Sequence, residues 1–225
     1  MRCSKSWTLL MLISFLLTLG ICLQAMARSP YDNINAPYYQ IKVSIFKSMP
    51  RQEGAIVFLG DSLTDYVKFE ELLPDLHIKN RGIAGDSTLG TLLRIDEVIS
   101  LKPSKLFVLL GTNDIVLDIK TDETIQNLRQ IIEKVREALP DTRIYLETLF
   151  PVNHQFETGR PTDTILAIND RLPKLAEKTN CTLIDTYSRF AENGEMPSRY
   201  TVDGVHLNGT GVTRWIEFLT PWIRE

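Results

Sequence analysis

The sequence predicts one α/β domain in which helices cover both faces of a parallel sheet. The chain has 225 residues, of which 44% are hydrophobic and 24% charged, and this is enough for a single domain with a sizeable core. Short apolar runs alternate along the chain with longer segments of helical spacing. Because that alternation is typical of parallel strands joined by helical crossovers, we expect three layers, α/β/α, around one sheet.

The strands are predicted from runs of branched and aromatic residues. Four such runs, at residues 55–59, 106–110, 144–149 and 182–184, have the length and composition of buried strands. A less apolar run at residues 76–79 is interpreted as a fifth strand. The predicted sheet therefore has about five strands.

The helices are predicted from apolar side chains that recur every three or four positions. Residues 121–139 show this spacing most clearly, with Thr121 predicted to cap the helix through its hydroxyl and Pro140 to end it. Further helices are predicted at residues 38–47, 88–100, 162–178 and 211–223.

The first 27 residues have the order of a secretory signal. Arg2 and Lys5 precede an uncharged stretch at residues 6–27, which ends in Ala-Met-Ala. We expect cleavage near Ala27 and a protein outside the cytoplasm, either periplasmic or secreted. The alternative is an uncleaved anchor, since about 22 uncharged residues could span a bilayer. Contact with a membrane is expected only in that case.

The remaining chain divides into a polar lead-in at residues 28–54 and a domain at residues 55–225. Loss of the signal changes the formal net charge from −3 to about −5 and leaves Cys181 as the one cysteine, so no internal disulfide is expected. An acidic chain of this kind has no basic excess to neutralise phosphates, which argues against nucleic acid as a partner. The sequence leaves the oligomeric state open.

Candidate site residues follow the predicted strands, where reactive groups of parallel sheets collect. Ser62, in Gly-Asp-Ser after the first strand, would sit where the chain turns into a helix. Gly85 follows the second strand and could offer its N–H, and Asn113 follows the third and could offer its amide. Taken singly, these residues are better explained as parts of a helix cap, an ordinary turn and an Asx-turn.

A histidine with an acidic neighbour lies near the C-terminus. In Asp203-x-x-His206 the carboxylate could bond Nδ1–H and leave Nε2 free to take a proton, although a lone pair of this kind is commonly a surface pair. Together with Ser62, these residues form the set needed for acyl transfer through a covalent acyl-enzyme. Ser62 would be the nucleophile, and the oxyanion would be held by the N–H groups of Ser62 and Gly85 and by the Asn113 amide.

These four blocks, from Gly-Asp-Ser-Leu to Asp-x-x-His, occur in the order found in the SGNH (GDSL-type) hydrolases, which residues 55–215 resemble. The resemblance implies a flavodoxin-like α/β/α fold of five parallel strands. It assigns Ser62 as nucleophile, His206 as base oriented by Asp203, and Gly85 and Asn113 as oxyanion donors. The compact length and the Gly-Ile-Ala-Gly-Asp-Ser block look similar to the small platelet-activating-factor-acetylhydrolase-like and lysophospholipase-like branch, whose esters range from acetylated sugars to acyl lipids.

The loop at residues 150–161 is the candidate for substrate selection. His154 and Phe156 are predicted to contact the substrate, the alternative being a plain surface connection. A chain this short has little room for a lid, which favours short acyl groups, above all acetyl esters of carbohydrates. A lysophospholipase or thioesterase would use the same catalytic residues, and a non-catalytic carbohydrate-binding module is a third reading. No cofactor is predicted, and no metal site, because His-x-His and His-Glu-x-x-His spacings are lacking.

Overall fold

A computed structural model describes residues 29–225 and confirms the predicted α/β/α fold. Five parallel strands form one sheet in the order β2-β1-β3-β4-β5. The predicted signal at residues 1–27 lies outside the described residues. The strands are β1 (Ile56–Gly60), β2 (Ile78–Gly82), β3 (Lys105–Leu109), β4 (Arg143–Glu147) and β5 (Thr182–Ile184).

The strand order gathers the loops after β1, β2 and β3 at the carboxyl end of the sheet, where folds of this kind bind ligands. The chain runs from β1 outward to β2 and then returns to the other side of β1 as β3, so the connections diverge at β1. Gly60 at the end of β1 is in register with Gly82 of β2 and Leu109 of β3. The loops that follow these three strands therefore leave the sheet at the same level, around one point.

Helices and short helical turns cover the sheet and connect its strands. Among residues 29–225 they are α1 (Pro37–Ser48), α2 (Ser62–Asp65), α3 (Phe69–Leu72), α4 (Thr88–Ile99), α5 (Thr112–Val116), α6 (Thr121–Ala138), α7 (Thr162–Asn169), α8 (Leu172–Thr179), α9 (Thr186–Phe190) and α10 (Gly209–Arg224), with a 3₁₀ turn at Ser198–Tyr200. No helix in this part of the chain combines the length and apolar character needed to cross a bilayer.

An aromatic row crosses the middle of the sheet. Phe58, Phe107 and Tyr145 are register partners on β1, β3 and β4, and their rings stack with centroids 4.7 and 4.5 Å apart. Phe69 of α3 stacks on Phe58 at 4.0 Å, and Trp215 of α10 meets Phe69 edge-on. All five side chains are buried, and each aromatic pair contributes about 0.5–1.5 kcal/mol beyond its burial. The row therefore ties the central strands to α10, which follows the Asp203–His206 segment.

Two sequence predictions about helices are wrong in detail. The helix predicted at residues 162–178 is two helices, α7 and α8, because Pro173 has no N–H to donate to the carbonyl four residues earlier. The predicted cap of α6 by Thr121 is also incorrect. Thr121 is the first helical residue, and the preceding Lys120 makes no side-chain capping bond.

The lead-in packs on the domain through α1. Tyr39 is buried and its hydroxyl donates to the Gly90 carbonyl at 2.7 Å, while Tyr39 and Phe46 pack around the buried Ile83. Before the helix, the amide of Asn33 donates to the carbonyl of Gly85 at 2.9 Å. Residues 29–48 thus border the loop that follows β2.

Candidate active site

Ser62 is the first residue of α2, directly beyond the carboxyl end of β1. Asp61 caps this short helix, with Oδ1 accepting the Leu63 N–H at 2.9 Å. A glycine is needed at position 60, because a β-carbon there would lie 2.1 Å from Thr64 Oγ1. The tight turn brings the Ser62 side chain, which is only 6% exposed, to the carboxyl end of the sheet.

His206 connects Ser62 to Asp203. Its Nε2 lies 2.8 Å from Ser62 Oγ, and its Nδ1 lies 2.6 Å from Asp203 Oδ2. A carboxylate opposite Nδ1 requires a proton on that nitrogen, which leaves Nε2 as an acceptor for the Ser62 hydroxyl. The three residues predicted as a catalytic triad are therefore brought into one hydrogen-bonded chain, with the histidine in the tautomer that a general base needs.

A tight turn positions the carboxylate. Asp203 Oδ1 accepts the N–H groups of Val205 and His206 at 3.0 and 2.8 Å, so the side chain folds back over its own loop. Burial alone would raise the pKa of Asp203, but the hydrogen bonds from the His206 ring and from the His206 and Val205 N–H groups lower it below its usual value. Asp203 therefore remains charged opposite the imidazole.

Gly85 and Asn113 are held by neighbouring residues. Gly85 adopts φ +81°, which favours glycine, and its carbonyl accepts the Asn33 amide. Asn113 Nδ2 donates one hydrogen to the Asp86 carbonyl at 2.9 Å, and its Oδ1 accepts Arg160 Nη2 at 3.0 Å. An amide nitrogen carries two hydrogens, so one remains for a ligand.

Arg160 and Asn33 also belong to the site, although the sequence does not predict either of them as a site residue. Arg160 donates to Thr112 through Nε, at 3.2 Å to its carbonyl and 3.1 Å to its hydroxyl, besides its bond to Asn113. Arg160 lies in the loop at residues 150–161 that is predicted to select the substrate, and this position is the sequence feature that could have identified it. Asn33 lies in the lead-in, where nothing in the sequence pointed to the site.

A buried ionic network holds the backbone to which the Asn113 amide is bonded. Asp86 is fully buried and accepts Arg94 Nε and Thr91 Oγ1 at 2.8 and 2.9 Å. Burial raises the pKa of this carboxyl, and the Arg94 charge and its hydrogen bonds oppose the rise. Since the Asp86 carbonyl receives the Asn113 amide, this network fixes the backbone against which the amide is oriented.

Asp61 is a second buried carboxyl beside the nucleophile. Burial raises its pKa to about 7, opposed by the Leu63 N–H and the charge of Arg160, and Oδ2 has no hydrogen-bond partner in the described part of the chain. In its protonated form, Asp61 places no negative charge next to the N–H of Ser62. That N–H is one of the predicted oxyanion donors.

His154 and Phe156, the predicted substrate contacts, have different neighbours. His154 is exposed, and its Nε2 pairs with Thr162 Oγ1 at 2.7 Å, at the start of α7. Phe156 borders the catalytic loop, since a β-carbon on Gly204 would lie 3.0 Å from Phe156 Cβ. Thus Phe156 reaches the loop of Asp203 and His206, whereas the His154 ring is bonded to the first residue of α7. Within residues 29–225, no group of three or more His, Cys, Asp and Glu side chains could hold a metal ion.

Comparison with known proteins gives a family match over most of the domain. The model of the GDSL-like Lipase/Acylhydrolase family matches residues 58–214. Platelet-activating factor acetylhydrolase IB subunit alpha2 of Homo sapiens is 28% identical over 174 residues, which cover 72% of this chain and 73% of that protein.

Solved structures share the fold. A Streptococcus pneumonia protein provisionally described as a platelet activating factor has a TM-score of 0.77 and 26% identity, and the match covers 98% of this chain and 100% of that one. The acetylxylan esterase Axe2 of Geobacillus stearothermophilus has a TM-score of 0.62 and 22% identity, with 79% and 97% covered. At that identity, the likeness to Axe2 shows the fold alone.

Proposed function

The chain belongs to the GDSL-like lipase/acylhydrolase family and is a carboxylic ester hydrolase, and we propose that it acts through an acyl-enzyme on Ser62. The observation that carries this proposal is the position of His206, which lies 2.8 Å from Ser62 Oγ and 2.6 Å from Asp203 Oδ2. A nucleophile, a base and the group that orients the base are therefore aligned before substrate binds.

Acylation begins at the Ser62 hydroxyl. Oγ attacks the ester carbonyl carbon while His206 Nε2 takes the hydroxyl proton, and the carbonyl oxygen becomes an oxyanion. The charge of Asp203 stabilises the imidazolium that forms. Collapse of the tetrahedral intermediate breaks the bond to the alcohol oxygen, which leaves with the proton from Nε2. The acyl group stays on Ser62.

Deacylation uses the same groups in reverse. His206 Nε2 takes a proton from a water molecule, and the resulting hydroxide attacks the acyl carbon. When the second intermediate collapses, the imidazolium returns its proton to Ser62 Oγ, and the carboxylic acid is released. The enzyme is restored with no other reactant.

The oxyanion is stabilised by three donors in this proposal: the N–H groups of Ser62 and Gly85 and the free hydrogen of the Asn113 amide. The loss of one such donor typically costs about 2.7–4 kcal/mol of barrier stabilisation. Arg160 and Asn33 support the proposal, because they hold Asn113 and Gly85 where they are without occupying the donor hydrogens.

Acetyl esters are the proposed substrates. The chain is similar to proteins named platelet-activating factor acetylhydrolase and to one named acetylxylan esterase, and both names specify an acetyl group. The compact domain, which has little room for a lid, and the proposed export support a carbohydrate as the alcohol. The uncharged segment at residues 6–27 and its Ala-Met-Ala end support removal of a signal near Ala27 and action outside the cytoplasm.

An ester panel tests the proposal. We expect p-nitrophenyl acetate and acetylated sugars to be hydrolysed with a higher kcat/KM than esters of eight or more carbons. Ser62→Ala and His206→Ala are the controls and should lose the activity. A clear preference for long acyl chains would favour a lysophospholipase or thioesterase instead. Sugar binding without any hydrolysis would favour a carbohydrate-binding module.

A further inference from the structure

Tyr66 presents an exposed aromatic ring beside the catalytic histidine. It follows α2 directly, and its N–H donates to the Ser62 carbonyl at 3.2 Å, so it lies one helical turn beyond the nucleophile. Its ring centroid is 5.3 Å from that of His206, with the planes inclined by 44°. The side chain is nevertheless 63% exposed. A large ring that touches the catalytic base and still faces solvent is available to a substrate.

The chemistry determines which part of the ester meets this ring. In the first half of the reaction, His206 gives its proton to the leaving alcohol oxygen, so the alcohol must lie next to the imidazole. The oxyanion points instead toward Gly85 and Asn113. Since Tyr66 contacts the imidazole, it borders the alcohol side of the site.

The backbone beneath Tyr66 is held in place. The Asp65 carboxylate accepts the Tyr38 hydroxyl at 2.6 Å, the Lys42 ammonium at 2.5 Å and the Ala84 N–H at 2.9 Å. These bonds join α2 to the lead-in helix and to the loop after β2. The ring of Tyr66 therefore projects from a fixed support, and a ligand that binds to it need not order a mobile loop.

A second exposed aromatic residue borders the same loop. Phe156 is 39% exposed and contacts Gly204, between Asp203 and His206. The loop that carries the base thus has aromatic contacts with Tyr66 through His206 and with Phe156 through Gly204. Both rings are therefore exposed beside the loop that carries the catalytic base.

We propose that Tyr66 is a stacking residue for the pyranose ring of an acetylated sugar, on the alcohol side of the site. A pyranose has a flat face of C–H groups, which packs on an aromatic ring, and a rim of hydroxyls, which remains in water above an open site. Rings of Tyr and Trp suit such half-wet contacts, because one surface is apolar and the edge is polar. This inference rests on the proposed function and names a residue that recognises its alcohol.

The test compares two acetyl esters that differ in their alcohol. One is a monoacetylated methyl xylopyranoside, and the other is ethyl acetate, whose alcohol is too small to cover the Tyr66 ring. Tyr66→Ala should lower kcat/KM for the sugar ester at least tenfold, mainly through a higher KM. Its kcat/KM for ethyl acetate should stay within twofold of the wild-type value. Tyr66→Phe, which keeps the ring, should restore the sugar activity.

Tyr31→Ala is the matched control, because Tyr31 is also an exposed tyrosine, 55% accessible, and its backbone is bonded to Ser29 and Asn35 of the lead-in. It should leave both esters unaffected. Equal losses on both esters with Tyr66→Ala would overturn the inference and show that the ring positions His206. An unchanged sugar KM would overturn it as well. If the wild-type protein does not prefer the sugar ester to ethyl acetate, the proposed carbohydrate substrate itself fails, and the stacking role with it.

Discussion

The guanidinium of Arg160 donates a hydrogen bond of 3.0 Å to the side-chain oxygen of Asn113. An amide has an accepting end and a donating end, and the arginine takes the accepting one. The nitrogen is thereby turned toward the Asp86 carbonyl, with a second hydrogen left for an oxyanion. One bond in the loop after β4 thus determines which end of the Asn113 amide faces the site.

We expect Arg160→Ala to lower kcat by about 10–100-fold, somewhat less than the 10²–10³-fold typical when an oxyanion donor is lost outright. The physical reason is that the Asn113 amide loses the partner that fixes its orientation. A double-mutant cycle with Asn113→Ala measures this. If Arg160 acts through Asn113, the double variant should be no slower than Asn113→Ala alone. Fully multiplicative losses would contradict that dependence.

Gly82, the last residue of β2, and Gly85, in the loop that follows it, should respond differently to alanine. A β-carbon on Gly82 would lie 2.3 Å from the Asp65 backbone nitrogen, so Gly82→Ala should destabilise the fold strongly and lower Tm. A β-carbon on Gly85 would meet no atom within 4 Å, and its cost is the positive φ, about 1–2 kcal/mol. Gly85→Ala should therefore fold but lose kcat as its N–H shifts. Similar effects of both variants on Tm would contradict this account.

Replacement of Asp203 by Asn should inactivate the enzyme without unfolding it. An asparagine oxygen can still accept the N–H groups of Val205 and His206. Its NH₂, however, would face Nδ1 of His206, which favours the tautomer that cannot accept the Ser62 proton. The expected loss in kcat is about 10³–10⁴-fold, with an unchanged Tm. Activity within tenfold of wild type would show that Asp203 is not the orienting group.

A buried carboxyl in β4 should make stability depend on pH. Burial raises the pKa of Glu147 from 4.5 to about 7, although Trp215 Nε1 and Thr186 Oγ1 both donate to it. Between these values the folded protein holds a proton that the unfolded chain has lost, so the free energy of unfolding falls as the pH rises. One such group contributes at most about 1.4 kcal/mol per pH unit.

Glu147→Gln keeps an oxygen for both donors and removes the titration. Denaturant unfolding at several pH values from 4.5 to 7 should therefore show a smaller loss of stability in the variant than in the wild type. Asp61, whose pKa is also raised to about 7, remains in both proteins and cancels in the comparison. Parallel curves for the two proteins would show that Glu147 does not titrate in this range.

The sheet and the triad could be predicted from the sequence because their signals are local. Apolar runs mark β1, β3 and β4, which are buried on both faces, and the Gly-Asp-Ser and Asp-x-x-His blocks have fixed spacing. The prediction of β2 is less accurate, since the sequence places this strand at residues 76–79 and it forms at Ile78–Gly82. The end of β2 lacks an apolar signal because Arg81 is buried through its ion pair with Glu97 and its stacking on Phe46.

The supporting residues could not be predicted, because they act over long separations in the chain. Arg160 meets Asn113 across 47 positions, and Asn33 meets Gly85 across 52. Neither contact is indicated by a periodic pattern or by a motif of fixed spacing in the sequence. Tyr66 is a further example, since its place beside His206 follows from the strand order rather than from its neighbours in the chain.

The central claim, a covalent intermediate on Ser62, is tested most directly by trapping it. The protein is mixed with an acetyl ester, the reaction is stopped with acid during turnover, and peptides are mapped by mass spectrometry. The account predicts one acetyl group on the wild-type peptide that contains Ser62. The Ser62→Ala variant should carry no acetyl group on that peptide and should not hydrolyse the ester. Hydrolysis by Ser62→Ala at the wild-type rate, or an acetyl group on another residue during turnover, would contradict it.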